Sequence, residues 1–329
     1  PPIKRARITD SLYQIVQGRR RRFASGAIHA LTVSRDAGAT EHLYAALSGR
    51  DASLRAQILR GLRNKRGERT RAIVLEILQS EETALVQAAG LFALGALGQR
   101  SDRRLVEHAL SHGPLRAREA ASHALIEFAE RGILSAEDAA RICERGATAS
   151  PLAEINLFLL SERLGVRCSR FEAPEAVLER AHRGRSSDRP NELMRFAAGA
   201  LLIERLQQLP ESSSPARAAQ REKVMAVLRR CARSEIVPSI ARLCKSAERG
   251  YGEARGAHFG ERGHVEIRAA RDTKGSMMGA HLHDWVVIVQ FADGRLLPAQ
   301  TDPRGELFLQ LVPSGMVRLL DTASVRPLP

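Results

Sequence analysis

Ala27-Ile28-His29-Ala30-Leu31, Ile58-Leu59-Arg60-Gly61-Leu62, Leu91-Phe92-Ala93-Leu94 and Ala121-Ser122-His123-Ala124-Leu125 are four versions of one phrase, ending on leucines 31 or 32 residues apart. A fifth, Ile155-Asn156-Leu157, follows after a further 32 residues. Self-similarity at this period marks stacked helical units rather than one globular core. A single unit cannot bury its apolar face alone, so each needs a neighbour on either side. The alanines and glycines of Ala88-Ala89-Gly90 and Ala93-Leu94-Gly95-Ala96-Leu97-Gly98 suit this, because small side chains let helices approach closely.

Working outward, apolar spacings of three and four predict helices over 23–34, 39–49, 52–64, 68–80, 84–98, 102–111, 115–131 and 135–145. Gly49-Arg50-Asp51, Gly67, Gly98, Gly113-Pro114 and Gly132 separate them. Asp51 and Ser101 are the expected caps, since their side-chain oxygens can accept free N–H groups of a first turn. Pro114 and Pro151 stand where a first-turn proline is tolerated. After Leu157 the ruler slips. An insertion around 165–190, with Arg180, Arg183, Arg185 and Arg189, reads as a basic edge loop and delays the next phrase to Phe196–Leu202. Pro210–Pro215 breaks the pattern again before a last pair near 216–233 and 236–249. The glycines of 250–263 lack the spacing and the strand-to-helix setting of a phosphate-binding loop. Strands are expected over His264–Ala270, Trp285–Phe291, Arg295–Ala299, Glu306–Val312 and Met316–Leu320, with turns at Asp293-Gly294 and Pro313-Ser314-Gly315.

Asp51-Ala52-Ser53-Leu54-Arg55 and Leu85-Val86-Gln87-Ala88-Ala89, with their Ala-Leu endings downstream, resemble HEAT repeats of the short bacterial kind related to phycobilin lyases. The resemblance covers about 23–249. It implies a right-handed α-solenoid of about six helical pairs and leaves function open. Thr301-Asp302-Pro303-Arg304-Gly305-Glu306-Leu307-Phe308 and Pro313-Ser314-Gly315 resemble the carboxypeptidase-regulatory, transthyretin-like sandwich, with Leu307 shifting the match by one residue. This implies a small β-sandwich that binds, spaces or regulates. The expected organisation is therefore a basic segment at 1–22, a solenoid at 23–249, a connection at 250–263 and a β module at 264–329.

The formal charge is +14 and the pI about 10.7, nearly all of the excess being arginine. Such a charge draws polyanions or acidic proteins at long range. Arg60, Arg63, Lys65, Arg66, Arg69 and Arg71 crowd one inter-helix turn, and Arg100, Arg103 and Arg104 the equivalent turn one repeat later. Equivalent turns of a solenoid share an edge, so these are expected to form a positive ridge. Arg19, Arg20, Arg21 and Arg22 are candidates to extend it, and Arg183 and Arg185 are further candidates on the insertion. Aromatics make up only 4% of the chain, which disfavours recognition by base stacking. The alkyl-purine glycosylase variant of the solenoid is disfavoured for the same reason, as the one tryptophan, Trp285, lies in the β module.

Little else suggests chemistry. His281, His283 and Asp284 are the most metal-like group, with His258 and His264 nearby, but a polar loop before a strand is the plainer reading. His108 and His112 share a helical face without the glutamate of a His-Glu-x-x-His site. No Gly-x-Ser-x-Gly elbow occurs. Cys143, Cys168, Cys231 and Cys244 make no Cys-x-x-Cys pair and are expected as free apolar thiols, which places the chain in the cytoplasm. No apolar run is long enough to span a membrane. The sequence thus leads to the expectation of a non-catalytic protein-interaction scaffold or regulatory adaptor, not an enzyme, with a protein partner, an acidic one among the candidates. No cofactor, metal or small-molecule substrate is expected. Its alternative is a nucleic-acid-binding solenoid acting through the arginine ridge.

Overall fold

The computed structural model describes residues 2–18, 21–49, 51–80, 83–145, 150–183, 191–209, 214–247, 262–268, 286–300, 306–313 and 317–321. Its described helices are α1 (Pro2–Gln17), α2 (Arg21–Val33), α3 (Ala37–Ala46), α4 (Ala52–Leu62), α5 (Glu68–Ser80), α6 (Ala84–Leu97), α7 (Arg103–His112), α8 (Leu115–Glu130), α9 (Ala136–Arg145), α10 (Pro151–Arg163), α11 (Pro174–Arg183), α12 (Glu192–Gln208), α13 (Pro215–Ser234) and α14 (Pro238–Ser246). Each odd-numbered helix packs on the even-numbered helix that follows it, and the even-numbered helices pack on one another in order from α2 to α14. The chain is a stack of helical pairs, as its repeat implies. The described helices make seven pairs where about six were expected, because residues 2–17 form α1, which packs on α2 and α3.

The leucine ruler is the core of this stack. Leu31, Leu62, Leu94, Leu125 and Leu157 lie on successive even-numbered helices, and all are fully buried. Burying one leucine contributes roughly 2 kcal/mol, and each ruler leucine belongs to the one core that runs through the stack. Gly95 lets α6 and α8 meet: a Cβ there would come within 3.2 Å of the Ala124 Cα and collide with the Glu127 carboxylate. Asp51 caps α4 as expected, accepting from the Ser53 and Leu54 N–H groups at 3.0 and 3.2 Å. The expected cap at Ser101 moves by one residue. A short 3-10 turn, Arg100–Asp102, precedes α7, and the Asp102 carboxylate takes the Gln99 N–H at 2.7 Å.

Polar contacts key each unit to the next along the outside. The Arg71 guanidinium donates to Asp102 at 2.7 Å, and Arg103 meets Asp138 at 2.5 Å. On the inside, Ser150 donates to Glu119 at 2.8 Å and Asn156 to Ser122 at 2.9 Å.

The cysteines correct the sequence reading. Cys143 is bonded to Cys168 and Cys231 to Cys244, with Cα atoms 6.1 and 5.9 Å apart. The pairings join packed segments 25 and 13 residues apart, which a Cys-x-x-Cys search does not reveal: Cys231 of α13 is bonded to Cys244 of α14. The argument from free thiols to a cytoplasmic location therefore falls. No described helix is long and apolar enough to cross a membrane.

Five strands follow. β1 (Arg262–Arg268) pairs antiparallel with β4 (Glu306–Pro313). β2 (Val286–Gln290), β3 (Leu296–Gln300) and β5 (Arg318–Asp321) form an antiparallel sheet in the order β3-β2-β5. Val287, Val289, Leu297, Leu307 and Leu309 from both sheets share one small core with Phe291 and with Phe92 of α6. What these strands support is a small antiparallel β module; a sandwich is a finer statement than they carry.

Two outcomes are expected. Without reductant the unfolded chain should show no titratable thiol, and after reduction four. Gly95→Val should lower stability in urea unfolding by about 2 kcal/mol through overpacking between α6 and α8.

Candidate functional site

The β module does not stand apart from the stack. Its β2–β3 hairpin lies against the even-numbered helices α8 and α10. The turn closes with the Phe291 N–H donating to the Arg295 carbonyl at 3.0 Å and the Gly294 N–H to the Phe291 carbonyl at 2.9 Å. Gly294 has φ +89°, and a Cβ there would come within 2.8 Å of the Ala197 Cα on α12, so both backbone shape and space require glycine. Behind the turn, Asn156 of α10 brackets the Leu296 peptide. Its Nδ2 donates to the Leu296 carbonyl at 2.9 Å, and its Oδ1 accepts from the Leu296 N–H at 2.8 Å. Gln290 donates to the Leu193 carbonyl at 3.1 Å, Arg116 to Gln300 at 3.0 Å, and Arg318 to Glu192 at 3.1 Å.

At the centre sits a buried charge cluster. Arg63 at the end of α4, Glu127 of α8 and Arg295 of the hairpin each have side chains only 1% exposed. Arg63 donates to Glu127 Oε2 at 2.6 Å and to the Phe92 carbonyl at 2.8 Å, with its guanidinium 4.3 Å from the centre of the Phe92 ring. Arg295 donates to Asp293 at 2.7 Å, also pairs with Glu130, and lies 3.8 Å from Glu127. Arg163 donates to the Asp293 carbonyl at 2.9 Å. His123 is fully buried between the Phe92 and Phe291 rings, at 5.3 and 6.1 Å. Burial pushes the Glu127 carboxyl up, but the charges of Arg63, His123 and Arg295 outweigh it and hold the group at about 2. Burial likewise raises Asp293, while Arg295 and Arg163 pull it down to about 2. Arg295 is raised, since its carboxylate neighbours overcome the burial that disfavours its charge.

This junction was missed in the sequence, yet it left a trace. Glu119, Glu127 and Asn156 interrupt faces that otherwise carry the core, and polar residues at core positions need partners.

The expected ridge resolves into two sets. Arg60 is buried beside the module, Arg63 belongs to the central cluster, and Lys65 reaches the Ser34 carbonyl, its pKa lowered by burial. Arg69 pairs with Glu41 at 2.7 Å, Arg71 with Asp102 and Glu68, and Arg103 with Asp138 and Glu107. These are stacking contacts. Arg66, Arg100 and Arg104 remain exposed. Arg21 and Arg22 begin α2 and Arg183 ends α11. Arg19, Arg20 and Arg185 lie outside the described residues, as do His258, His281, His283, Asp284 and Trp285.

Among the described residues, no group of three His, Cys, Asp or Glu is placed to hold a metal. The His108 and His112 rings stack at 4.7 Å on an exposed face of α7. A cleft between stack and module, lined by Arg60, Phe92, Arg116, Leu297, Pro298 and Gln300, has about 20 Å³ of free space, enough for a water or two.

No family model matches the sequence, and no curated protein matches it. A solved structure similar to the chain is that of human deoxyhypusine hydroxylase in complex with glycerol. The match is 15% identical, with a TM-score of 0.36, and covers 75% of this chain and 96% of that one. A likeness this distant transfers no activity. The expectations of a non-catalytic scaffold or regulatory adaptor and of a chain that is not an enzyme are withdrawn: the similar structure is that of a hydroxylase, and a likeness at this level supports neither expectation.

The charge cluster makes docking acid-sensitive. Both Glu127 and Asp293 are depressed on folding, so their stabilisation is full above the unfolded carboxylate value near 4 and is lost as pH falls towards about 2. Hydrogen exchange at the Leu296 amide should be constant above about pH 5, after correction for intrinsic rate, and should accelerate below about pH 4. Glu127→Gln should weaken the junction by about 3 kcal/mol by leaving buried arginine charge half-compensated.

Proposed function

We propose that this chain binds the phosphate backbone of a nucleic acid through the exposed cations of its last helical pair. The observation that carries this reading is the charge of α13 and α14. From Pro215 to Ser246 there are eight cations, Arg217, Arg221, Lys223, Arg229, Arg230, Arg233, Arg242 and Lys245, against two acids, Glu222 and Glu235. Both acids are engaged, Glu222 with Arg229 at 2.8 Å and Glu235 with Arg195 at 2.9 Å. Val224, Val227, Leu228 and Cys231 are buried, and Lys223, Arg229, Arg230 and Arg233 are exposed on the other side of α13. Arg242 and Lys245 are exposed on α14, which the Cys231–Cys244 bond ties to α13.

A helix of 20 residues is about 30 Å long, close to one turn of duplex. The pair contains no aromatic residue, so it suits a phosphate backbone rather than splayed bases. In this reading residues 23–249 are the binding body, 250–263 the connection and 264–329 an accessory module of transthyretin-like kind.

Fluorescence anisotropy of a labelled duplex at about 50 and 200 mM salt tests the reading. The combined variant Lys223→Glu, Arg233→Glu, Arg242→Glu, Lys245→Glu should lose about 100-fold or more in affinity, with a salt slope shallower by about 3–4. The variant Arg66→Glu, Arg100→Glu, Arg104→Glu should bind within about threefold of the parent, since it touches none of the proposed phosphate contacts. Equal losses in both variants, or no binding at low salt, would refute the assignment. Capture of an acidic polypeptide in place of duplex would move it to a protein partner.

A further inference from the structure

We infer that the face grasping the β2–β3 hairpin is also a receptor for the hairpin of a second copy of this chain, so that two copies can exchange β modules. Three observations lead there. First, the clasp joins residues remote in sequence, from Gln290–Leu193 to Arg116–Gln300, and its hydrogen bonds and ion pairs named above all come from helices before α14. Nothing in the contact requires that stack and module belong to the same chain.

Second, α14 and β1 are separated by residues 247–261, which include Gly250, Gly252, Gly256 and Gly260. Fifteen residues reach at most about 50 Å, enough to deliver the module to an adjacent molecule.

Third, the clasp is keyed by charge. Arg295 enters a site walled by Glu127 and Glu130 and carries Asp293 with it. A buried ion cluster stabilises less than an apolar contact of equal size, but strongly disfavours a wrong partner. The Asp293-Gly294-Arg295 turn fits this site, and every copy has one.

The intramolecular contact sets a scale for the exchanged one. A short connection gives an effective concentration on the order of mM. A module docked about 99% of the time then implies a dissociation constant between separate copies of about 10 µM or tighter. Closed monomers therefore dominate when dilute, and exchange needs either high concentration or a chain that cannot close on itself.

Charge reversal tests this with full-length chains. Glu130→Arg places a cation against Arg295 of the same chain. Arg295→Glu places a carboxylate against Glu130. Each variant alone should be monomeric, with a fast-exchanging Leu296 amide. Mixed at about 100 µM each, well above the expected dissociation constant, they should form a 1:1 dimer in native mass spectrometry and recover slow exchange at Leu296. The chain carrying both substitutions should close on itself and remain monomeric, which controls for folding. A mixture that stays monomeric while the double variant regains protection would overturn the proposal. So would a double variant that fails to regain it, because the charge key would then not govern docking.

Discussion

Glu127 holds two parts of the molecule together. Its carboxylate receives Arg63 from two units earlier and lies beside Arg295 of the β module. It can do so because Gly95 leaves space for it between α6 and α8. The register of three inner helices and the seat of the hairpin thus meet at one carboxylate. Its low pKa expresses the same fact: the charges around it, Arg63 first, outweigh complete burial. The energetic logic is that of a lock. Buried charges gain little over apolar packing, but tolerate no misfit.

The module's position changes what the stack can offer. Its inner face, which a helical solenoid would normally present to a partner, is occupied by β2 and β3. The odd-numbered helices remain open, and the exposed cations of α13 lie on one of them, beside those of α14. Much of the arginine in α4, α5 and α7 is engaged with carboxylates between units. Composition alone does not separate arginines that bind outward from those that hold repeats together; pairing partners do.

Much of the fold was legible in the sequence, for a physical reason. Burying Leu31, Leu62, Leu94 and Leu125 at one spacing forces like environments at like positions, and the helices from α2 to α9 fall within a few residues of their expected bounds. The Asp293-Gly294 turn was readable because Gly294 must adopt positive φ. What could not be read was long-range pairing. Arg295 with Glu130 and Asn156 with Leu296 depend on how the module folds back on the stack, and Cys231 with Cys244 on how α14 packs on α13. No local spacing encodes that. The same holds for the arginines expected as a ridge: that Arg69, Arg71 and Arg103 meet Glu41, Asp102 and Asp138 of neighbouring units is not written in their spacing.

The contacts between units have one more consequence. Arg71 needs an aspartate 31 residues on, and Arg103 needs one 35 residues on; Ser150 and Asn156 look back 31 and 34 residues to Glu119 and Ser122. The outer keys are alike, arginine to aspartate, but the inner ones are not. Excising α7 and α8 would remove Glu119, Ser122 and Glu127 together, and with them the side chains that Ser150, Asn156 and Arg63 meet. The units are not interchangeable beads.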